Sequence, residues 1–229
     1  DFLIDLLTFN EYEEKWLESI EKVKKFKRVD GEIYINQQIK NGKTVLAEGA
    51  QGILLDIDFG SYPFVTSSHT IAGGACTGLG IAPSKIRNVF GVFKAYCTRV
   101  GSGPFPTEQE NENGEFLRKK GNEFGSTTGR SRRCGWLDLP ALRYAAIING
   151  VDMLFMMKAD VLNDFDIIPV CNEYEINNTK KEFLPYNIDN KDIKPLYKDF
   201  RGWKKFSIND NKLPTEFTDY IKYIETITE

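Results

Sequence analysis

Between Leu137 and Asp160 the chain writes one α/β unit in a single pass. Leu137 to Asn149 carries an apolar stripe at helical spacing, and Gly150 supplies a helix stop. Met153 to Met157 follows as five apolar residues in a row, too short for a second helix and read as a buried strand. A polar segment opens directly at Lys158. Other stretches alternate in the same way. Residues 9 to 28 place Phe9, Tyr12, Trp16, Leu17, Ile20, Val23 and Phe26 on one helical face. Glu32 to Ile39 predicts a helix ended by Asn41-Gly42, and Thr44 to Ala47 a short buried strand. Pro83 can start a helix, Val89 to Val100 predicts a strand, and Asn111 to Gly114 a turn. A further strand is expected at Asp166 to Tyr174 and a helix from Pro214 to Ile227. This alternation predicts an α/β fold with a mainly parallel central sheet flanked by helices.

The 229 residues are 41% hydrophobic, enough for one large domain or two small ones. A net charge of -3 gives no overall positive field, which argues against a nucleic-acid partner. No apolar run reaches the length of a membrane span. The four cysteines form no CxxC pair and read as reduced thiols of a cytoplasmic protein. The chain opens at Asp1, which suggests a piece of a longer one.

Two patterns point to ligand chemistry. Gly121 to Arg133 (GNEFGSTTGRSRR) combines glycines at 121, 125 and 129 with Ser126, Thr127 and Thr128 and three arginines, Arg130, Arg132 and Arg133. Consecutive backbone N–H groups, hydroxyls and guanidinium forks can ring a small dianion. The competing reading is a basic surface loop. Lys158-Ala-Asp160 stands directly after an apolar strand, where open α/β sheets bind ligands. A carboxylate there can accept from N1–H and the 2-amino group of guanine, while a lysine stem covers the base. The alternative is an ordinary solvated Lys and Asp.

Weaker signals lie upstream. Glu48 to Gly52 (EGAQG) is turn chemistry that puts the amide of Gln51 at a strand end. Asp56 and Asp58 form a carboxylate pair without a third ligand, and His69, the single histidine, reads as a satisfied loop residue. Neither a GxxxxGK[ST] phosphate loop nor a strand-associated GxGxxG is present.

The longer runs resemble the adenylosuccinate synthetase family. They are Glu48 to Asp58 with Tyr62 to Ser68, Lys94 to Glu108, Gly121 to Asp138, Lys158 to Leu162 and Tyr197 to Trp203. The resemblance implies a P-loop-NTPase-like nucleotide-binding architecture, here incomplete, with residues 1–229 as one fragment of the synthetase domain. It implies a ligase that forms adenylosuccinate from IMP and L-aspartate at the expense of GTP in AMP biosynthesis. Gln51, Thr66, Val100 (by its backbone) and Arg130 would contact IMP. Residues Ser126, Thr127, Thr128, Gly129, Arg130, Ser131 and Arg132 would hold aspartate. Arg132, Lys158 and Asp160 would belong to the GTP site. The family's phosphate loop, its catalytic Asp and His and its Mg²⁺ ligands would precede Asp1, leaving the fragment inactive alone. The resemblance implies a homodimer when the chain is complete. A non-catalytic GTP- or purine-binding module, or a subunit completing an enzyme in trans, are the alternatives.

Overall fold

The computed structural model describes residues 9–125, 129–186, 193–207 and 212–228. The chain divides into two compact units, residues 1–46 with 79–81, and residues 47–78 with 82–229.

In the first unit, helices α1 (Phe9–Lys24) and α2 (Gly31–Lys40) form as their spacing predicts. Helix α2 stops at Asn41-Gly42, where Gly42 takes φ +78°, a conformation that costs glycine little. The apolar face of α1 stays open: Phe9, Trp16, Val23 and Phe26 are all more than half exposed. The expected buried strand at Thr44 to Ala47 does not form, and those residues are exposed.

The second unit holds the core. Strand β1 (Phe90–Lys94) pairs in parallel with β5 (Met153–Met157), in a register that sets Lys94 beside Met157. The strand expected over Val89 to Val100 is broken at Ala95-Tyr96. There the chain leaves β5 and, as β2 (Cys97–Arg99), turns to pair antiparallel with β3 (Arg133–Gly135). Ala95 and Tyr96 are buried at this corner, and Tyr220 Oη donates to Ala95 O at 3.0 Å. A four-stranded sheet completes the framework. Strand β4 (Leu137–Asp138) is parallel to β6 (Ile167–Ile176), and β7 (Thr179–Lys181) and β8 (Lys194–Arg201) join β6 antiparallel.

Helices α3 (Gly74–Leu79), α4 (Glu112–Lys120), α5 (Leu139–Asn149) and α6 (Thr215–Thr228) complete the mixed α/β architecture. The turn expected at Asn111 to Gly114 is the start of α4. Asn111 Oδ1 accepts from Asn113 N at 3.0 Å, satisfying an N–H that the helix leaves unpaired. Pro83 opens only a short 3₁₀ turn, Pro83–Lys85. Helix α5 begins at Leu139 rather than Leu137, because Asp138 caps it, and Gly150 ends it at φ +58°. Strand β5 has the predicted limits but not the predicted burial. Leu154 and Met156 face the core, whereas Met153, Phe155 and Met157 are about half exposed. The core joins Trp136, Leu139, Leu162, Val170, Trp203 and Tyr220, with Trp203 edge-on to Phe217 at 5.0 Å between ring centroids. All four cysteines are free, Cys134 and Cys171 buried and the other two partly so.

Candidate functional site

The site residues expected from sequence lie on four segments of the second unit, and polar ties fasten each segment to the next. The first is the loop from Gln51 to Ala72, organised by Asp56. Its fully buried carboxylate accepts four backbone N–H groups: Asp58 and Phe59 on Oδ1, Thr70 and Ile71 on Oδ2. Burial pushes this carboxyl up and the four donors pull it down; the net is below the ordinary value. Thr70 Oγ1 donates to Gly52 O at 2.9 Å, and Thr66 N to Leu55 O at 2.8 Å. Gln51 and Thr66 are thereby fixed at two points of one folded loop.

Asp56, Asp58 and His69 bring their ligand atoms within 4.8 Å of one another, a grouping the spacing of the two aspartates alone did not reveal. It is not a built metal centre. Both Asp56 oxygens already accept two N–H groups each, which uses the lone pairs a cation would need. Mg²⁺ therefore has no fit here.

The second segment is the loop after β2. Arg99 donates through Nη2 to Ser61 Oγ at 3.0 Å and to Phe64 O at 3.1 Å, clamping the Val100 loop to the Thr66 loop. Arg133 reaches back from β3 to the same loop, with Nη1 donating to Gly101 O at 3.2 Å and Gly103 O at 2.8 Å. Its Nε donates to Glu108 at 2.8 Å, and this pairing raises the guanidinium pKa. Arg133, read from sequence as part of a ligand-facing loop, is thus a loop clamp.

The third segment is Gly121 to Arg132. A bridge between Phe124 and Ser131 closes it as a hairpin, with Gly125 N donating to Arg130 O and Gly129 N to Gly125 O, both at 2.8 Å. Gly129 has φ +64°, and Gly129, Arg130 and Ser131 are exposed. Ser126, Thr127 and Thr128 lie outside the described residues. Gly121 does not make room for a ligand. A Cβ there would meet Tyr96 Oη at 2.1 Å and Leu117 O at 2.7 Å.

The fourth segment is Lys158 to Asp160. Lys158 takes φ +60°, turning the chain sharply out of β5 into a 3₁₀ turn over Ala159–Leu162. Asp160 is exposed, and its carboxylate makes no hydrogen bond or ion pair among the described residues. Among the described residues, five non-glycine positions have positive φ; three are asparagines, which tolerate it, and the other two are Gln51 and Lys158. Backbone held in this region concentrates at functional sites.

Glu123, which sequence reading passed over, joins the third and fourth segments. Its carboxylate is fully buried. Oε1 accepts from Lys158 Nζ at 2.8 Å and Tyr96 Oη at 2.6 Å; Oε2 accepts from Lys94 Nζ and Arg132 Nη1, both at 2.8 Å. Burial alone would raise its pKa, but the donors from Lys158, Lys94 and Tyr96 win and hold it down at about 2. Burial in turn lowers Lys94, and burial with the Glu123 charge raises Tyr96. Lys158 Nζ also donates to Gly121 O at 2.6 Å.

The comparisons with known proteins decide the family. The model for "Adenylosuccinate synthetase" matches residues 2–229. The chain belongs to the adenylosuccinate synthetase family. It is 55% identical over 228 residues to an adenylosuccinate synthetase of Azobacteroides pseudotrichonymphae, covering 98% of this chain and 54% of that one. It is 57% identical over 225 residues to that of Cytophaga hutchinsonii, covering 96% and 52%. A fully ligated adenylosuccinate synthetase from Plasmodium falciparum superposes with a TM-score of 0.86 at 40% identity, over 97% of this chain and 54% of that one. The chain therefore spans about half the length of the synthetases it matches. No helix among the described residues is long and apolar enough to cross a membrane.

Proposed function

We propose that this chain supplies the substrate-binding face of a GTP-dependent ligase that joins IMP to L-aspartate, giving adenylosuccinate, GDP and phosphate. Its carrying observation is the convergence of Lys158, at the end of β5, and Arg132, from the hairpin, on one buried carboxylate. That arrangement sets a candidate guanine reader beside a candidate dicarboxylate loop. Asp160, exposed and unpaired among the described residues, accepts from N1–H and the 2-amino group of guanine. Lys158 has its ammonium engaged by Glu123 and Gly121, so its part is to lay an aliphatic stem against the base. Arg130 and Arg132 attract the carboxylates of aspartate, and Ser126, Thr127, Thr128, Gly129 and Ser131 supply further donors to them. Gln51, Thr66 and the backbone of Val100 form the IMP side.

The test is nucleotide choice in the full-length protein. Asp160→Asn replaces an acceptor with an NH₂ donor of nearly the same shape, which suits the 2-carbonyl of xanthine. It is expected to lower kcat/KM for GTP by about tenfold or more and to raise it for XTP. A variant that keeps the parent order and values removes Asp160 from the base.

A further inference from the structure

We propose that Glu123 is a positioning residue that couples the two binding segments, so that the hold on the guanine nucleotide and the hold on the amino-acid substrate are set together. The inference rests on the roles given above to Lys158–Asp160 and to Gly129–Arg132.

Glu123 has no exposed surface, so it acts only through the side chains it holds. Its two oxygens divide the work. Oε1 holds Lys158, whose backbone turn presents Asp160, and Oε2 holds Arg132 at the foot of the hairpin. Two further bonds support these ties: Arg132 N donates to Glu123 O at 3.0 Å, and the Lys158 ammonium donates to the Gly121 carbonyl at 2.6 Å. The Phe124–Ser131 bridge follows at once, so the exposed part of the hairpin hangs from the Glu123–Arg132 pair.

Charge sets the direction of the effect. One carboxylate faces three cations, Lys94, Arg132 and Lys158. Their side chains are 25%, 31% and 37% exposed, so Arg132 and Lys158 have more open routes to solvent than Lys94. Without the carboxylate the three cations repel at short range, and the two more exposed ones swing outward. Both binding segments then lose their fixed end together. Tyr96 serves as the internal control, because it bonds the same carboxylate but lies on neither binding segment.

The test uses the full-length protein. Affinity for a non-hydrolysable GTP analogue is measured by titration, with and without saturating L-aspartate, and KM for L-aspartate is measured by initial rates. Glu123→Gln is expected to weaken nucleotide affinity and raise KM for aspartate, each by about tenfold, and to abolish the effect of aspartate on nucleotide affinity. Tyr96→Phe is expected to lower Tm while leaving those constants near the parent values. If Glu123→Gln does not fold, the double variant Lys94→Met, Glu123→Gln removes one of the repelling cations and is read the same way. The proposal is overturned if the folded variant loses Tm as Tyr96→Phe does but keeps both constants, if only one constant moves, or if aspartate has no effect on nucleotide affinity in the parent. Asp160→Asn keeps the outcomes apart: a GTP-to-XTP shift with Glu123→Gln silent sinks the coupling alone, whereas no shift sinks the guanine reading itself.

Discussion

Lys158 and Glu123 meet at 2.8 Å, one at the end of a parallel strand and the other inside a glycine-rich hairpin. The parallel register of β1 and β5 prepares this meeting. Lys94 and Met157 are partners, so Lys94 and Lys158 leave their strands at the same edge and converge on one carboxylate. A carboxylate that deep is stable only because every partner is a hydrogen-bond donor.

The low pKa of Glu123 makes it an acid-sensitive element. Its folded value of about 2 lies below the ordinary 4.5, so the folded state favours the charged form. The resulting stability is fully present above pH 4.5 and is lost as pH falls toward 2, about 3 kcal/mol in all. In urea titrations across that window, Glu123→Gln is expected to be the less stable protein at pH 6, with the gap closing as the parent is acidified. A pH-independent gap would show that the charge is not what the cluster needs.

Gly121→Ala tests the packing beneath the same cluster. The added methyl would sit 2.1 Å from Tyr96 Oη and 2.7 Å from the Leu117 carbonyl oxygen, and the latter belongs to helix α4 and cannot yield freely. Overpacking of this kind costs roughly 1–3 kcal/mol. The denaturation midpoint should fall with an unchanged m value. A midpoint equal to the parent's would mean that the corner at Tyr96 is looser than described.

What the sequence showed and what it hid follow a physical division. Helix ends at Gly42 and Gly150 were legible because a left-handed residue after a helix is a local requirement that glycine meets. The limits of β5 were legible for the same local reason, as an apolar run between a stop and a polar turn. Strand β8 was hidden because its charged residues, Lys194, Lys198, Asp199 and Arg201, follow no two-residue alternation, and it exists by pairing with β6. Helix α4 was hidden because Asn111 and Gly114 suit a turn as well as a cap. The positions of Lys158 and Arg132 in the candidate site were read from motifs. Glu123 was not, because a single glutamate makes no pattern until the fold gathers Lys94, Arg132 and Lys158 around it.

Gln51 sits at φ +63°, a conformation that a residue with a branched-free but ordinary Cβ adopts at a cost of about 1 kcal/mol. Asparagine tolerates it better. Gln51→Asn should therefore leave stability unchanged or raise it by about 0.5–1 kcal/mol, while the shorter amide weakens IMP binding about tenfold. Thermal denaturation and an IMP titration of the full-length protein measure the two effects. Lost stability with unaltered IMP affinity would make Gln51 a turn residue only.

Asp138 supplies the opposite pH dependence to Glu123. It caps α5, accepting from Ala141 N at 3.0 Å, and Tyr174 Oη donates to both its oxygens at 2.6 Å. Burial nevertheless wins over these donors and pushes its pKa up to about 6, from an ordinary 3.8. A raised carboxyl binds its proton more tightly in the folded state. Its cost to stability is therefore absent below pH 3.8, grows as pH rises, and is fully imposed above pH 6. Asp138→Asn keeps an acceptor for the helix cap and for Tyr174 and carries no charge at any pH. Between pH 4 and 7.5 the stability of the variant relative to the parent should shift in its favour by about 2–3 kcal/mol. Urea midpoints at pH 4, 5, 6 and 7.5 measure that difference. If it stays constant, or moves toward the parent as pH rises, the Asp138 carboxylate is charged in the folded protein at no cost, and the Tyr174 hydroxyl with the helix N-terminus fully offsets its burial.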